Sequence, residues 1–147
     1  MSETGDDGSR LSPEAGTTLI EALVVVAITT MVAIIGFPRL QQGLVTLSQR
    51  LTVATVAARL REARADAMRR DGPVVFTVAA DGKAFGASDG PAATTPPAVR
   101  LKADGGRRIA FYGDGSSSGG VIWVSAARQA IAVTVAPRGG GVSVNLG

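Results

Sequence analysis

An uncharged apolar run near the N-terminus constrains this chain more than any other feature. The 17 residues from Ala22 to Pro38 carry no charge, and the longer stretch from Thr17 to Phe37 contains one charged residue, Glu21. At about 1.5 Å per residue, this longer stretch would span about 30 Å as a helix, which is the thickness of a bilayer's hydrocarbon core. Strands rarely exceed about ten residues, so the length favours a membrane-length helix.

The residues on either side of the run do not fit an ordinary secretory signal peptide. Such a peptide needs a basic start and a small-residue cleavage site after the apolar stretch. Residues 1–16 instead contain four acidic residues and one basic residue, Arg10, and Phe37 is followed by Pro-Arg-Leu-Gln-Gln. A plain membrane anchor fits the length but leaves Glu21 unexplained, because an ionised carboxylate in a membrane helix is costly and normally has a partner.

The composition excludes several classes of enzyme. The chain has 147 residues, no cysteine and no histidine. It therefore lacks the residues for a disulfide framework, a thiolate metal site, a cysteine nucleophile or a histidine general base. Serine–lysine chemistry at Lys83 or Lys102 has no motif behind it. We expect neither a catalytic site, nor a metal, nor a cofactor.

After Pro38 the sequence keeps a helical period to about Arg70, where Asp71-Gly72-Pro73 predicts the end of the helix. Apolar residues recur in steps of three and four and predict one stripe that packs on a globular head. The stripe comprises Leu40, Leu44, Leu47, Leu51, Ala54 and Ala58, and is widened by Val53, Val56, Leu60, Ala63 and Ala67. Pro38 either merely ends the membrane segment or kinks and locally melts a continuous helix.

The remainder of the chain, from residue 73 to 147, alternates short β-type runs with glycine-rich turns. Three hairpins and a last strand are expected, and residues 86–97 are expected to form a loop. The first hairpin turns at Asp81-Gly82. The second turns at Asp104-Gly105-Gly106 and joins strands 99–102 and 108–111, and the third turns near Ala127-Arg128 and joins strands 121–125 and 130–136. The last strand covers 142–145. With one helix to cover it, an antiparallel sheet of this size predicts an α+β head.

Asp-Gly dipeptides occur six times in the chain, and one of them begins at Asp114. A calcium loop would need several oxygen ligands in an alternating pattern, which the residues around Asp114 do not supply. Turn formation is the interpretation that we favour for these dipeptides.

The segment Gly16-Thr17-Thr18-Leu19-Ile20-Glu21 resembles the class III signal of type IV pilins and type II secretion pseudopilins. In that family a hydrophilic leader ends in glycine, the fifth mature residue is glutamate, and a proline interrupts the apolar helix. Gly16, Glu21 and Pro38 hold these positions here. Two features depart from the family: Thr17 stands where phenylalanine is usual, and the leader is acidic.

The resemblance implies a role for each of these residues. Prepilin peptidase would cleave between Gly16 and Thr17 and methylate the new amino group of Thr17. The carboxylate of Glu21 would pair with the N-terminal amine of a neighbouring subunit, so that the two charges in lipid neutralise each other. The alternative for Glu21 is a lone side chain that extends to the membrane surface. Pro38 would kink the assembly helix.

The implied fold is pilin-like, with a long N-terminal helix packed on an antiparallel β-sheet head. Residues 1–16 would be the cleaved leader and residues 17–38 the transmembrane and assembly helix. Residues 39–147 would form a periplasmic head that includes the amphipathic helix to about residue 70. The protein would cross the bacterial inner membrane once.

Two head segments resemble the H-type minor pseudopilin domain, the GspH/FimT domain family. One is Leu60 to Met68 followed by Pro73 to Phe76, and the other is Ile109 to Ile122, which follows the pattern IxFxxDGxSxGG. This resemblance implies a structural minor pseudopilin of a type II secretion system, placed near the pseudopilus tip, that helps to export folded proteins across the outer membrane. Its partners would be the other major and minor pseudopilins.

The alternative is a FimT-like minor type IV pilin that binds DNA for uptake. Without the leader's one basic and four acidic residues the chain has 14 basic and 8 acidic residues, a net charge of +6, which would suit a phosphate-binding surface. The candidate contacts are Arg100, Lys102, Arg107, Arg108, Arg128 and Arg138. No series of aromatic residues for base stacking accompanies them.

Overall fold

The computed structural model describes residues 13–127 and 129–146 and contains one long helix followed by eight strands. The helix α1 spans Pro13–Arg70. The strands are β1 (Val74–Val78), β2 (Ala84–Ala87), β3 (Ala93–Thr94), β4 (Val99–Ala103), β5 (Arg108–Phe111), β6 (Gly120–Ala126), β7 (Gln129–Val135) and β8 (Val142–Leu146). The chain divides into two compact units, one that ends at Gln41 and one that begins at Gln42.

Helix α1 stays helical through Pro38, so the local melting that one of the two interpretations of this proline expects does not occur in the structure. A proline here removes the amide that would otherwise bond to the carbonyl of Ile34. The predicted end near Arg70 is confirmed: Asp71 adopts a left-handed φ of 49°, and the amide of Gly72 donates to the carbonyl of Ala67 at 3.2 Å. This is a Schellman-type helix end.

The face of α1 that packs on the strands is not the first stripe predicted from the sequence. The leucines at 40, 44, 47 and 51 are 54–70% exposed, and Ala54 and Ala58 are exposed as well. The residues that were expected only to widen the stripe carry the packing instead. The buried residues on this face are Gln49, Thr52, Val53, Val56, Ala57, Leu60, Ala63 and Ala67.

Gln49 shows why the helix is oriented in this way. Its side chain is 2% exposed, and its amide nitrogen donates to the carbonyls of Val124 at 2.9 Å and Gln129 at 3.1 Å. A buried amide left without partners would cost about 1–3 kcal/mol, so these bonds favour the orientation in which Gln49 faces β6 and β7. The hydrophobic period alone favoured the continuous row of leucines as the packed face, because the row that is buried contains a glutamine and a threonine.

The strands form two antiparallel sheets rather than the single sheet predicted. The first has the order β3-β2-β1-β5 and the second the order β4-β6-β7-β8. The predicted hairpin between 99–102 and 108–111 is wrong, because β4 pairs with β6 and β5 pairs with β1. Three consecutive residues with φ of 83°, 108° and 64°, Gly105 to Arg107, lead the chain from one sheet to the other.

The other strand predictions hold. The first hairpin joins β1 and β2 across Asp81-Gly82, and the third joins β6 and β7 at Ala127, while Arg128 lies outside the described residues. The last strand, β8, pairs with β7. The expected loop over 86–97 is interrupted only by the end of β2 and the two residues of β3.

One hydrophobic core unites both sheets with the helix. Its fully buried members include Phe76 and Phe111 from the first sheet, Ile122 from the second and Leu60 from α1. The predicted fold class, an α+β arrangement with the helix packed on antiparallel strands, is confirmed.

The two sheets also meet at a glycine in the β1–β2 turn. Gly82 has a φ of 68°, and its carbonyl accepts a hydrogen bond from the amide of Leu101 in β4 at 3.0 Å. A Cβ at this position would lie 2.3 Å from the carbonyl oxygen of Leu101. Only glycine combines this backbone conformation with so close an approach.

Gly82→Ala is therefore expected to destabilise the head by about 2–4 kcal/mol, from the left-handed conformation and the steric overlap together. Gly139→Ala is the matched control, because nothing lies within 4 Å of the added methyl there. Urea denaturation of the segment 42–147 measures both. Equal midpoints for the two variants would contradict the role of Gly82.

Candidate membrane and assembly segment

The apolar run of α1 does not belong to the hydrophobic core. Every residue from Thr18 to Phe37 is exposed apart from the half-buried Gly36. The helix is long and apolar enough to cross a membrane, and none of its most apolar 18-residue window is buried. A core helix of similar composition would be covered by its own chain, so the exposure of this segment is compatible with an apolar environment supplied from outside.

Two hydroxyl groups within this run are satisfied by the helix itself. The hydroxyl of Thr29 donates to the carbonyl of Val25 at 2.6 Å, and that of Thr30 donates to Val26 at 2.7 Å. In hydrocarbon, polar groups must find partners within the protein because no water is present. The two threonines therefore do not prevent the segment from entering lipid.

Glu21 is the charged residue inside the run, and its side chain is exposed. Among the described residues it has neither an ion-pair nor a hydrogen-bond partner. The described part of the chain therefore leaves the carboxylate open to a group from another molecule.

The predicted processing site lies at the start of the helix. The backbones of Gly16 and Thr17 belong to the first turns of α1, which begins at Pro13, whereas most of the predicted leader, residues 1–12, lies outside the described residues. The first amides of a helix have no partners within it, so this end opens more easily than the helix interior. Cleavage between Gly16 and Thr17 would require these turns to unwind.

The IxFxxDGxSxGG segment forms a hydrogen-bonded turn in the head. Asp114 accepts from the amide of Ser116 at 2.9 Å and from its hydroxyl at 2.6 Å, and these bonds lower the pKa of the exposed Asp114 carboxyl below its usual value. The buried hydroxyl of Ser117 donates to the carbonyl of Ala136 at 2.9 Å and accepts from the amide of Gly119 at 3.0 Å. The segment thus joins β5 and β6 to the end of β7.

Arg64 ties the same turn to the helix, and the sequence analysis did not single it out. Its Nε donates to the carbonyl of Gly115 at 3.0 Å. Gly140 packs so closely here that a Cβ would lie 2.5 Å from that carbonyl oxygen and 2.8 Å from the Arg64 Nε. Arg64 and Gln49 thus attach α1 to the head through polar contacts. Neither residue stands out in a helix with several arginines and polar residues.

The candidate DNA contacts lie on several elements. Arg100 and Lys102 occupy alternate, exposed positions of β4, where Trp123 of β6 lies opposite Lys102 in register. The guanidinium of Arg100 donates to the carbonyls of Pro97 at 2.8 Å and Val99 at 2.9 Å. The remaining cations are exposed elsewhere: Arg107 in the β4–β5 turn, Arg108 on β5 in the other sheet and Arg138 after β7; Arg128 lies outside the described residues.

Comparison with known proteins identifies the fold. No protein-family model matches the chain, and no curated protein matches its sequence. Two crystal structures of the type IV minor pilin FimU from Pseudomonas aeruginosa strain PAO1 do match. The P65 form has a TM-score of 0.55 and 11% identity, covering 65% of this chain and 91% of FimU. The P21 form has a TM-score of 0.54 and 11% identity, covering 73% of this chain and 90% of FimU. The chain has a pilin-like fold.

Placing charge in the middle of the run tests the segment's need for lipid. Each arginine near the centre of a membrane helix costs about 3 kcal/mol, so Val24→Arg/Ile28→Arg is expected to release the full-length protein from bacterial membranes into the alkaline-soluble fraction. Thr46→Arg/Thr55→Arg, which adds the same charge to exposed positions further along α1, is expected to stay in the membrane. Equal extraction of both variants would contradict a membrane-spanning role.

Proposed function

We propose that this chain is a structural minor subunit of a pilin-class filament, anchored in the bacterial inner membrane by its N-terminal helix with its head in the periplasm. The observation that carries the proposal is the exposed apolar run of α1, with the single carboxylate of Glu21, on a chain of pilin-like fold. The protein contributes contacts to an assembly rather than a catalytic site.

Glu21 acts at the step in which the subunit leaves the membrane and joins the filament. A carboxylate and an ammonium group are each costly in a low-dielectric medium, and pairing them offsets much of that cost. Cleavage after Gly16 would create an ammonium group on Thr17, four residues before Glu21. One subunit would then present an amine and the next a carboxylate, each of which needs the other.

Within this class, we propose a minor pseudopilin of a type II secretion system. The H-type pattern over Ile109 to Ile122 supports this choice. The second candidate is a minor subunit of a type IV pilus, which is supported by the fold that the chain shares with a type IV minor pilin. Nucleic-acid binding belongs to the second candidate, for which Arg100 and Lys102 on β4, with Trp123 opposite Lys102, offer one set of neighbouring contacts.

Removing the carboxylate tests the proposal in the native host. Glu21→Ala is expected to yield a protein that resides in the membrane and is cleaved after Gly16, but loses at least tenfold in co-purification with the other filament subunits. The reason is that cleavage occurs at the membrane surface, whereas docking needs the buried charge pair. Quantitative mass spectrometry of detergent-solubilised complexes measures the amount of co-purified subunits relative to wild type.

Glu62→Ala is the matched control, since it removes an exposed carboxylate whose contact is with Arg59 of the same helix. It is expected to assemble as wild type. The co-purified subunits also distinguish the two candidates: pseudopilins with loss of secretion in Glu21→Ala indicate the first, and pilins with loss of pili indicate the second. Unchanged assembly of Glu21→Ala would overturn the role of this residue.

A further inference from the structure

The strand β8 has one side along which the described part of the chain leaves backbone groups unpaired. The strand lies at the end of the order β4-β6-β7-β8 and pairs with β7 alone. In an antiparallel pair, the residues of each strand alternate between those whose N–H and C=O face the partner strand and those whose groups face away. Every second residue of β8 therefore directs its amide and its carbonyl outward.

The turn before β8 determines which residues face outward. The amide of Ala136 donates to the carbonyl of Gly141 at 2.9 Å, so the backbone groups of this pair face each other. Counted from Gly141, the odd-numbered residues of β8 face β7 and the even-numbered residues face away. The carbonyl of Val142 accordingly accepts from the guanidinium of Arg61 in α1 at 3.5 Å. Among the described residues, the outward amide and carbonyl of Val144 have no hydrogen-bond partner.

The other three sheet edges are obstructed by the chain's own residues. On β4, the outward amide of Leu101 donates to the carbonyl of Gly82 at 3.0 Å. On β5, the amide of Ala110 donates to the hydroxyl of Ser118 at 3.0 Å, and its carbonyl accepts from the Ser118 amide at 2.9 Å. The strand β3 contains only two residues. The five residues of β8 include no charge and no proline, which are devices that protect an exposed edge from pairing.

The hydrophobic core is also open along this edge. Val144 lies in register with Val133 of β7, which lies in register with Ile122 of β6. Val133 and Ile122 are fully buried, whereas Val144 is 40% exposed. A strand added beside β8 would continue this row and would place one of its own side chains next to Val144. An apolar side chain at that position would extend the core.

The chemistry of the edge specifies an extended peptide segment as its ligand. Outward N–H and C=O groups on every second residue are matched by another strand, which presents the same groups at the same repeat. An α-helix uses its backbone groups internally and offers no such row. The segment that fits has apolar side chains at alternate positions, because successive side chains of a strand point to opposite faces of the sheet.

A second copy of this chain does not fit the edge when both copies are anchored in one membrane. Helix α1 runs opposite to β8, since Gln49 bonds at the start of β7 and Arg61 contacts the start of β8. Antiparallel pairing of two β8 strands would therefore direct the two helices oppositely, whereas copies in one membrane direct them alike. Parallel pairing about a two-fold axis would place identical residues at the same height, but the slanted bonds of a parallel ladder need outward residues displaced by one position.

We propose that β8 binds an extended segment of a different subunit of the same filament, which adds a strand to the second sheet and places an apolar side chain next to Val144. This inference rests on the proposed function, which supplies neighbouring subunits with other sequences. It adds a contact made by backbone hydrogen bonds in the head to the contact proposed for Glu21.

Site-specific photocrosslinking of the full chain in its native host tests the proposal. Benzoylphenylalanine replaces Asn145, which is exposed on β8, or Lys102, which is exposed in the same row at the opposite edge of the sheet. We expect the Asn145 probe to crosslink a chain that carries a leader-ending glycine and a glutamate at mature position five. The adduct should map to a segment with alternate apolar residues, and its yield should exceed that of the Lys102 probe by at least fivefold.

Val144→Pro tests the backbone hydrogen bonds. Proline has no N–H, and at this position the missing N–H is one that faces away from β7, so the pairing of β8 with β7 is retained. We expect the Asn145 adduct to fall at least fivefold while the thermal midpoint of the full chain stays that of wild type. Val144→Thr is the matched control, because it keeps the N–H and a β-branched side chain, and its adduct should stay within twofold of wild type. Equal yields from the two variants would overturn the added strand.

A probe at Ile28, within the apolar run, separates failure of this inference from failure of the proposed function. An Ile28 adduct with a pilin-like chain, but no such adduct at Asn145, would overturn the inference and leave the function standing. The absence of pilin-like adducts at both positions would overturn both. An Asn145 adduct that maps to a helix, or to a second copy of this chain, would overturn the stated partner whatever the stability of the proline variant.

Discussion

The attachment of α1 to the head is the contact on which the rest of the structure depends. The helix buries one narrow row of small apolar residues against both sheets, and two polar side chains fix its rotation and its position along the axis. Gln49 bonds to β6 and β7, and Arg64 bonds to the turn at Gly115. These directional contacts determine which residues of a largely apolar helix remain outside the core.

Helix α1 has two uncovered apolar surfaces, and they differ in chemistry. The run from Thr18 to Phe37 is apolar on all sides, as a segment in lipid must be. The exposed row of Leu44, Leu47 and Leu51 is apolar on one side of α1 only. Both surfaces expose apolar side chains that the described residues do not cover.

The sequence was sufficient for the features that depend on local chemistry. It identified the long helix and its end at Asp71-Gly72, two of three hairpins, the last strand and the fold class. It failed where the outcome depended on long-range pairing: β4 and β5 adjoin in sequence but pair with distant strands. The sequence also predicted the wrong packing face of the helix, because the hydrophobic period does not reveal that a glutamine side chain hydrogen-bonds to two backbone carbonyls. The roles of Gly16, Thr17, Glu21 and Pro38 remain predictions from the resemblance.

The mature N-terminus tests the central claim, a pilin-class subunit, most directly. Intact-mass spectrometry of the protein purified from its native host should show the loss of residues 1–16 and the addition of one methyl group, as expected if prepilin peptidase cleaves after Gly16. Gly16→Val should keep its full length, because a β-branched residue hinders entry of the extended backbone into the peptidase. A wild-type chain that begins after Phe37, as an ordinary signal peptide would leave it, would contradict the claim.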